Sequence, residues 1–367
     1  MSQSSAPANV ASKPVATQIY VGLDVHQSHT TMHVLDAQGN CLQRQTIRGY
    51  WPMVALEVEK LSHDAQGQTR QIHACFEASV GAGHLYDLLQ RCCHRVVVAH
   101  PGQLRLIFRS RKKNDRADAE KLAKLLFLDE VPAAYMPAKS VRNWRKLIET
   151  RRRTVEKRAR VKNSLRALLR GCGIQVPTDF GLWSRRGLQW LAQHDFDETI
   201  ALQRDLWLDE LDLLTKQIRR MEQELDRIAS ASPAVALLQT IHGIGPRTAE
   251  AVAAYIDNPH RFRNAKAVGA YFGLVPSQDQ SGTTNRLGHI TKEGPATVRK
   301  LLTEATWHAI RLSPTIKATF ERIHHGDRER RKIALVATSH ALVRAMYAML
   351  RDNKPWRETV LPQTIPA

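Results

Sequence analysis

Two short apolar runs, each carrying an acidic residue, constrain the fold of this chain most strongly. Asp24 lies inside the run 19–25, and Glu77 ends the run 72–77. Short runs of β-branched and other apolar residues that stop at polar or small residues are typical of buried strands. A carboxylate in a buried strand is costly unless it has a partner. Asp24 therefore predicts a functional or paired acid, whereas Glu77 at a strand end is a weaker indication by itself.

Two further acids follow in the segment Asn114-Asp-Arg-Ala-Asp118. Asp115 and Asp118 are three residues apart at the start of a helical apolar pattern, so they share one helix face. Taken alone, the pair is explained by negative charge that complements the helix dipole. Together with Asp24 and Glu77, however, it favours a site for Mg²⁺ or Mn²⁺, because hard cations prefer several carboxylate oxygens.

The predicted elements of residues 18–138 follow the order of a ribonuclease-H-like domain. Three strands with tight connections precede alternating helices and strands, which predicts a mixed sheet covered by helices. The fold class is therefore α/β for this domain, followed by mostly α structure. Strands are predicted at 19–26, 30–35, 41–47, 72–77 and 96–99, and helices at 52–61, at 84–91 and from about Arg116.

Positive charge limits the partners of the chain. The formal net charge is +19, with a pI near 10.1. Residues 139–170 hold thirteen basic and only two acidic residues, an imbalance that is unusual for an ordinary solvated helix. Nucleic acid is the favoured partner, and an anionic membrane surface is disfavoured because basic residues surround the whole helix. The candidate contacts are Arg142, Arg145, Lys146, Arg151, Arg152, Arg153, Lys157 and Arg158.

Residues 139–232 are predicted to form long helices, with a break at the glycines and proline of 171–177. Apolar residues alternate at spacings of four and three over about three heptads, which predicts a coiled coil or a helical hairpin. The pattern leaves open whether the partner is the basic helix of the same chain or a second subunit. The seam consists of Trp207, Leu211, Leu214, Ile218, Met221, Leu225 and Ile228.

A third region, 233–350, begins with a short glycine-containing motif at 240–250. It resembles a helix-hairpin-helix element, in which Gly243 and Gly245 let backbone N–H groups approach a phosphate at a helix N-terminus. An ordinary glycine-rich link between helices is the alternative. In so basic a chain, phosphate contact is favoured.

A second polar motif lies between 273 and 294. Ser281 is placed in a polar loop and is flanked by Arg286, His289 and Lys292. Basic groups there could stabilise charge that develops on a phosphodiester attacked by a serine, although a Ser-Gly pair is also common in simple turns. Physical reasoning alone does not select Ser281 over Ser277.

Several other sequence features exclude particular structures and partners. The five cysteines include no CxxC pair and follow no signal peptide, which predicts a reduced, cytoplasmic chain. No stretch approaches the ~20 apolar residues of a membrane span, so no membrane partner is expected. Residues 1–17 and 351–367 are predicted to be tails. His26, His29 and His33 are interpreted as surface or core histidines, because no closed zinc set accompanies them.

The ordered acids, combined with the distal block Gly-Leu-Val-Pro-Ser…Gln-Ser-Gly…Arg-Leu-Gly-His-Ile-Thr-Lys-Glu-Gly, resemble the DEDD transposases of insertion-sequence family 110, which are related to the Piv-type DNA invertases. The resemblance covers roughly residues 18–350. It implies a RuvC-like domain at 18–138, a coiled-coil connection at 139–232 and a C-terminal transposase domain at 233–350. It also implies that Asp24, Glu77, Asp115 and Asp118 bind the metal and that Ser281 is the nucleophile.

The same resemblance implies a function and a set of partners. We expect a bacterial, nucleoid-associated recombinase that cuts and rejoins donor and target DNA through a phosphoserine intermediate. A non-coding bridge RNA would guide it, and it would act as a dimer or tetramer. Two alternatives remain: a hydrolytic RuvC-like nuclease that forms no covalent adduct, and a non-enzymatic basic protein that binds nucleic acid.

Overall fold

The computed structural model describes residues 17–107, 115–281 and 284–359, without the side chains of residues 115, 116, 284 and 285. The chain divides into two compact units, Met1–Lys139 and Ser140–Ala367. The first unit contains the predicted RuvC-like segment. The second contains both the predicted helical connection and the predicted C-terminal domain. The tail predicted at 1–17 lies outside the described residues except for its last residue.

The first unit is an α/β structure whose elements follow the predicted order closely. One helix, α3, is not foreseen by the sequence pattern. The elements are β1 (Thr17–Val25), β2 (His29–Leu35), β3 (Cys41–Arg48), α1 (Trp51–Glu59), β4 (Arg70–Glu77), α2 (Ala82–Leu89), β5 (Arg95–Ala99), α3 (Pro101–Ile107) and α4 (Asp115–Phe127).

The five strands form one mixed sheet in the order β3-β2-β1-β4-β5. The first three strands pair antiparallel, while β1 with β4 and β4 with β5 pair parallel. This arrangement is compatible with the predicted ribonuclease-H-like domain. The central strand β1 and its neighbour β2 are largely buried, whereas the edge strand β3 is polar and mostly exposed.

Helix α4 packs very closely on β1. A Cβ placed on Gly22 would lie 2.1 Å from the carbonyl oxygen of Ala119 and 2.5 Å from the backbone nitrogen of Ala123. Only glycine permits this approach of a helix backbone to the central strand. The contact sets the height of α4, which also carries Asp118, above the sheet.

The second unit is mostly helical, apart from one two-stranded hairpin. Two helices of 33 residues each dominate its first half. The elements are α5 (Lys139–Gly171), α6 (Arg185–Gln193), α7 (Glu198–Ser230), α8 (Pro233–Leu238), α9 (Pro246–Ile256), α10 (Ala265–Tyr271), β6 (Pro276–Ser281), β7 (Thr284–Ile290), α11 (Ala296–Leu312), α12 (Pro314–His324) and α13 (Arg331–Asp352).

The predicted heptad seam lies on the inner face of α7. Leu211 and Leu214 pack in one cluster with Val161, Leu165 and Leu169 of α5. The sequence left the partner of the seam open, and in the structure this partner is the basic helix of the same chain. A regular coiled coil remains a prediction.

The end of the chain differs from expectation in two ways. Helix α13 has a window of mean hydropathy 1.5 and is long enough to cross a membrane, contrary to the prediction that no stretch approaches such a span. Half of that window is buried, with Val343 and Met346 in the main core of the second unit. The predicted tail at 351–367 is described to residue 359, and Trp356 packs against the same core.

Candidate active site

Asp24 and Glu77 lie side by side at one edge of the sheet. The register of the parallel strands β1 and β4 pairs Leu23 with Phe76, so the following residues, Asp24 and Glu77, are at the same level. Neighbouring strands are about 4.8 Å apart, and residues at one level of a parallel pair point to the same face. The sheet therefore places the two carboxylates next to each other.

Asp118 joins them from helix α4. The close contact of α4 with Gly22 holds this helix over β1, and Asp118 directly precedes Ala119 in that contact. Asp24, Glu77 and Asp118 line one pocket of about 360 Å³, which we call the acidic pocket. Asp115 begins α4, but its side chain lies outside the described residues. The structure thus brings together three of the four predicted acids.

Cationic side chains share the acidic pocket with these acids. The Nζ of Lys121 lies 2.9 Å from Oδ1 of Asp118, and Arg105 of α3 also lines the pocket. Lys121 is one turn after Asp118 on the same helix, which is the ordinary geometry of a helical ion pair. The pocket therefore offers cations for a phosphate as well as carboxylates for a metal.

His26 is a residue of this pocket that the sequence pattern did not identify. Its Nε2 lies 3.2 Å from Oδ2 of Asp24, and its ring stacks on that of His29 at 4.7 Å between centroids. The turn between β1 and β2 holds it there through a hydrogen bond from the backbone N–H of His26 to the carbonyl of His29. The sequence feature that could have identified His26 is its position two residues after Asp24, the acid of strand β1. A search for sets of zinc ligands does not consider this position.

The donor chemistry of the acidic pocket fits a hard divalent cation. Carboxylate oxygens are the ligands that Mg²⁺ and Mn²⁺ prefer. Within the described ranges, however, no three His, Cys, Asp or Glu side chains are close enough together to hold a metal ion. Two of the acids are engaged by His26 and Lys121 instead. A bound cation would have to share or displace these partners, and the metal site remains a prediction.

Ser281 belongs to the second unit, at the end of strand β6. It pairs with Thr284 of β7, so this segment is a β-hairpin and not the loop expected from the sequence. Every residue of β6 is exposed. Residues 282 and 283 lie outside the described residues. Polar residues in an unpacked hairpin show no apolar alternation, so the sequence pattern does not predict its strands.

Pairing places Arg286 on the same face of the hairpin as Ser281. Arg286 is opposite Asp279, two residues before Ser281, and diagonal neighbours of this kind are about 7–8 Å apart. A long arginine side chain can span that distance. Ser277 also lies on this strand, four residues farther from the tip. The hairpin therefore supports Ser281 and Arg286 as a pair, in a position open to a large substrate.

The base of the hairpin is tightly built. Gly273 and Gly294 both have positive φ angles, and a Cβ on either would collide with backbone atoms of the opposing segment. The guanidinium of Arg299 in α11 donates to the carbonyl oxygens of Phe272, at 3.1 Å, and of Glu293 and Gly294. Lys292 adopts a positive φ here, and its N–H donates to the carbonyl of Gly273. Lys292 thus has a backbone role beside its predicted contact with nucleic acid.

The predicted basic contacts of α5 divide into two groups. Arg145 donates to the carbonyl oxygens of Ala254 and Tyr255 at the end of α9, so its guanidinium is engaged inside the unit. Arg151 pairs with Glu222 of α7, and Arg152 pairs with Glu149 and Glu156. By contrast, Lys146, Arg153 and Lys157 are exposed, and Arg142 and Arg158 are half-buried.

The helix-hairpin-helix-like segment contributes to a second pocket of about 400 Å³, together with α5 and α11. Gly243 has a φ of +92°, and a Cβ there would lie 2.7 Å from backbone atoms of Ala309. Packing on α11 is therefore a sufficient reason for this glycine. Gly245, just before α9, faces open space. It remains the better candidate of the two for approach to a phosphate.

A buried glutamate forms one wall of this second pocket. Glu250 is 1% exposed, and its Oε1 lies 3.1 Å from Nη1 of Arg247. Burial raises the pKa of Glu250 to about 7, even though the charge of Arg247 acts to lower it. Arg247 is shared with Asp226 of α7, which weakens its hold on Glu250.

Comparison with known proteins identifies two family models. One, described as the transposase IS116/IS110/IS902 family, matches residues 235–321. The other, a DEDD transposase model of the IS110 group described as a transposase, matches residues 21–174. Between them they span both the acidic pocket and the Ser281 hairpin.

Individual relatives are also named as transposases. A Sinorhizobium fredii protein assigned by name as a transposase, y4qE, is 27% identical over 345 residues, covering 92% of this chain and 83% of the relative. The transposase for insertion sequence element IS1111A of Coxiella burnetii is 28% identical over 230 residues, 62% of each chain. The transposase for element IS1328 of Yersinia enterocolitica is 23% identical over 284 residues, covering 77% of this chain and 81% of the relative.

Proposed function

The chain belongs to the IS116/IS110/IS902 family of transposases, and we propose that it cuts and rejoins donor and target DNA through a serine-linked intermediate. Membership of this family implies DNA as substrate and strand cleavage with transfer as the reaction. The convergence of Asp24, Glu77 and Asp118 in one pocket carries the proposal. Three carboxylates from two strands and a helix share this pocket, and a cluster of acids in a cleft is typical of a functional site.

The chemistry that we propose for Ser281 is a transesterification. Its Oγ forms a bond to the phosphorus of a DNA phosphodiester, and the bond from that phosphorus to a sugar oxygen breaks. The serine hydroxyl loses a proton, and the released sugar oxygen takes up a proton to become a hydroxyl. Attack of another sugar hydroxyl on the phosphoserine reverses the step and rejoins DNA without ATP. Arg286, on the same face, stabilises charge on the phosphoryl oxygens.

The acidic pocket is proposed to hold Mg²⁺ or Mn²⁺ through Asp24, Glu77, Asp115 and Asp118. Such a cation, when bound, supplies Lewis-acid polarisation of the phosphate. His26 orients the Asp24 carboxylate, while Lys121 and Arg105 of the same pocket contact substrate phosphate. The exposed side of the pocket suits a polymeric substrate.

We propose that an element-encoded bridge RNA selects the target and donor sequences in the bacterial nucleoid. The net charge of +19 with only 6% aromatic residues supports a protein that reads backbone and helix shape and not individual bases. A homodimer or homotetramer is proposed as the active form.

The test incubates the full chain with Mg²⁺, the non-coding RNA of the element and labelled donor and target DNA. Wild type is compared with Ser281→Ala, Ser277→Ala and Asp24→Asn on a denaturing gel. A covalent protein–DNA adduct that is lost in Ser281→Ala but retained in Ser277→Ala is the expected result. Nicks without adduct, unaffected by Ser281→Ala, would make this a hydrolytic nuclease. Binding that persists without any cleavage in wild type would favour the non-enzymatic alternative.

The oligomer is tested by mixing two inactive variants. Recovered cleavage in a mixture of Asp24→Asn and Ser281→Ala would require that different copies supply the acid and the serine. If the mixture stays inactive while each variant binds DNA normally, one copy supplies both.

A further inference from the structure

Helix α5 has a buried face and an outer face of different character. Its buried residues pack against α7 and the core of the second unit, and they are Trp144, Ile148, Thr154, Val161, Leu165 and Leu169. The apolar face of this helix is therefore already covered by its own chain. A helix of this kind cannot lie in a membrane interface, because no apolar face remains to insert.

The outer face of α5 carries a row of exposed cations. Lys146, Arg153 and Arg160 are seven residues apart and so share one face, with Lys157 beside them. At 1.5 Å per residue the row is about 21 Å long, with steps of about 10.5 Å between the residues that are seven apart. We call these four residues the outer basic row. Arg160 was not among the contacts predicted from the sequence.

The acids of α5 pair with only one member of this row, Arg153. Glu149 accepts hydrogen bonds from Arg152, Arg153 and Thr297, and these partners, Arg152 first, hold its pKa at about 2. Glu156 accepts from Arg152 at 2.6 Å and lies 3.5 Å from Lys300. Glu156 is thus compensated by cations outside the row, whereas Glu149 is shared between Arg152 and Arg153, of which only Arg153 belongs to the row.

Among the described residues, the outer basic row has few acidic partners of its own. Only Arg153 is in an ion pair, and its side chain is 70% exposed. Lys146, Lys157 and Arg160 are each exposed, with no carboxylate within ion-pair distance in the described part of the chain. An exposed row of one sign on a rigid helix is an electrostatic footprint for a polyanion.

We propose that the outer basic row binds the backbone of a nucleic-acid duplex, with α5 lying across a groove. The step of about 10.5 Å approaches the ~12 Å width of the B-form major groove, so successive cations can reach phosphates on its two edges. The inference rests on the nucleic-acid substrate of the proposed function, but not on Ser281 or on a metal.

The proposal is tested by binding in the absence of divalent metal, so that cleavage does not enter the result. The full chain carrying Lys146→Gln, Arg153→Gln and Arg160→Gln is compared with wild type. The control carries Arg328→Gln, Arg330→Gln and Lys332→Gln, three exposed cations near the start of α13 that give the same change in net charge. Fluorescence anisotropy is measured on duplex DNA, duplex RNA and single-stranded DNA between about 50 and 200 mM salt.

We expect the slope of log K against log salt for duplex DNA to become shallower by about 2.7 in the α5 variant, since each lost phosphate contact removes about 0.9. The control variant should retain nearly the wild-type slope, and both variants should unfold at the wild-type temperature. A shallower slope on only one of the two duplexes identifies whether DNA or RNA binds the outer basic row. Three results would overturn the proposal: an unchanged slope on both duplexes, an equal change of slope in the control variant, or an equal change of slope on single-stranded DNA.

A failure of the proposed function gives a different result. If wild type forms no adduct and makes no cut, yet its duplex binding depends on the outer basic row, the serine mechanism is wrong and the row is still supported.

Discussion

Gly22→Ala tests whether the close packing of α4 on β1 positions the acidic pocket. The added Cβ would lie 2.1 Å from the carbonyl oxygen of Ala119 and 2.5 Å from the nitrogen of Ala123, both of them backbone atoms. Contacts of this type are ordinarily near 3.4 Å or longer, so α4 must move by about 1 Å. Helix backbone cannot yield by changing a rotamer, which makes this an overpacked position.

The expected loss of stability follows from these distances. Overpacking of a core costs about 1–3 kcal/mol, and a clash with two backbone atoms belongs at the upper end. Replacing glycine also reduces the entropy of the unfolded chain, which returns about 0.4–1 kcal/mol. We therefore expect the first unit to lose about 2 kcal/mol of unfolding free energy. Because α4 carries Asp118, the metal dependence of cleavage should also shift to higher Mg²⁺ concentration.

Hydrogen exchange followed by mass spectrometry measures this effect in the first unit alone. Peptides from β1 and α4 should exchange faster in Gly22→Ala, while peptides of the second unit should not change. Gly181→Ala is the matched control, since a Cβ there meets nothing within 4 Å and should change stability by less than about 0.5 kcal/mol. Wild-type protection of β1 and α4 in Gly22→Ala would refute the packing argument.

Three further variants test other parts of the structure. The folded-state pKa of Glu250 is raised above its unfolded value of 4.5 to about 7, so the folded state keeps a proton that the unfolded state has lost between these pH values. Stability should therefore fall as the pH rises from about 4.5 to 7, by up to roughly 3 kcal/mol, and urea unfolding of Glu250→Gln should lack this decline. His26→Ala should weaken Mn²⁺ binding about 10–100-fold, because the Asp24 carboxylate loses a hydrogen-bonded partner. Electron paramagnetic resonance of free Mn²⁺ measures the affinity. An unchanged affinity would exclude an orienting role for His26. Arg299→Met removes the hydrogen bonds to three carbonyl oxygens at the hairpin base, of which that of Phe272 is partly buried, at a cost of about 1 kcal/mol. It should reduce adduct formation by Ser281. Wild-type adduct yield in a folded variant would argue against the hairpin being held by this residue.

Local sequence patterns predicted the first unit well. The strands β1, β2, β3, β4 and β5 appear within a few residues of their predicted bounds, because apolar runs bounded by polar or small residues report burial directly. The ordered acids were also recognisable, since charge inside an apolar run is rare and costly. Helix α3 was missed because seven residues give too little periodicity to distinguish a helix from a loop.

The candidate site was only partly predictable. Asp24, Glu77 and Asp118 converge as the sequence suggested, but His26 was interpreted as an ordinary histidine. Its contact with Asp24 depends on the turn between β1 and β2, which no residue pattern specifies. The hairpin that carries Ser281 was predicted as a loop for a related reason, because its exposed polar strands lack the apolar alternation on which strand prediction depends.

The sequence by itself determined most of the helical and extended segments, which residues can carry a hard cation or a nucleophile, and that the chain is strongly basic. These properties depend on residue type and on spacing within about ten positions. Tertiary structure alone decided that α5 is the partner of the α7 seam, that Gly22 and Gly243 serve close packing, and which cations of α5 remain exposed. Those outcomes depend on how elements far apart in the chain dock. A guanidinium that points to Glu222 or to a carbonyl of α9 is no longer available to a phosphate, however basic its neighbours are.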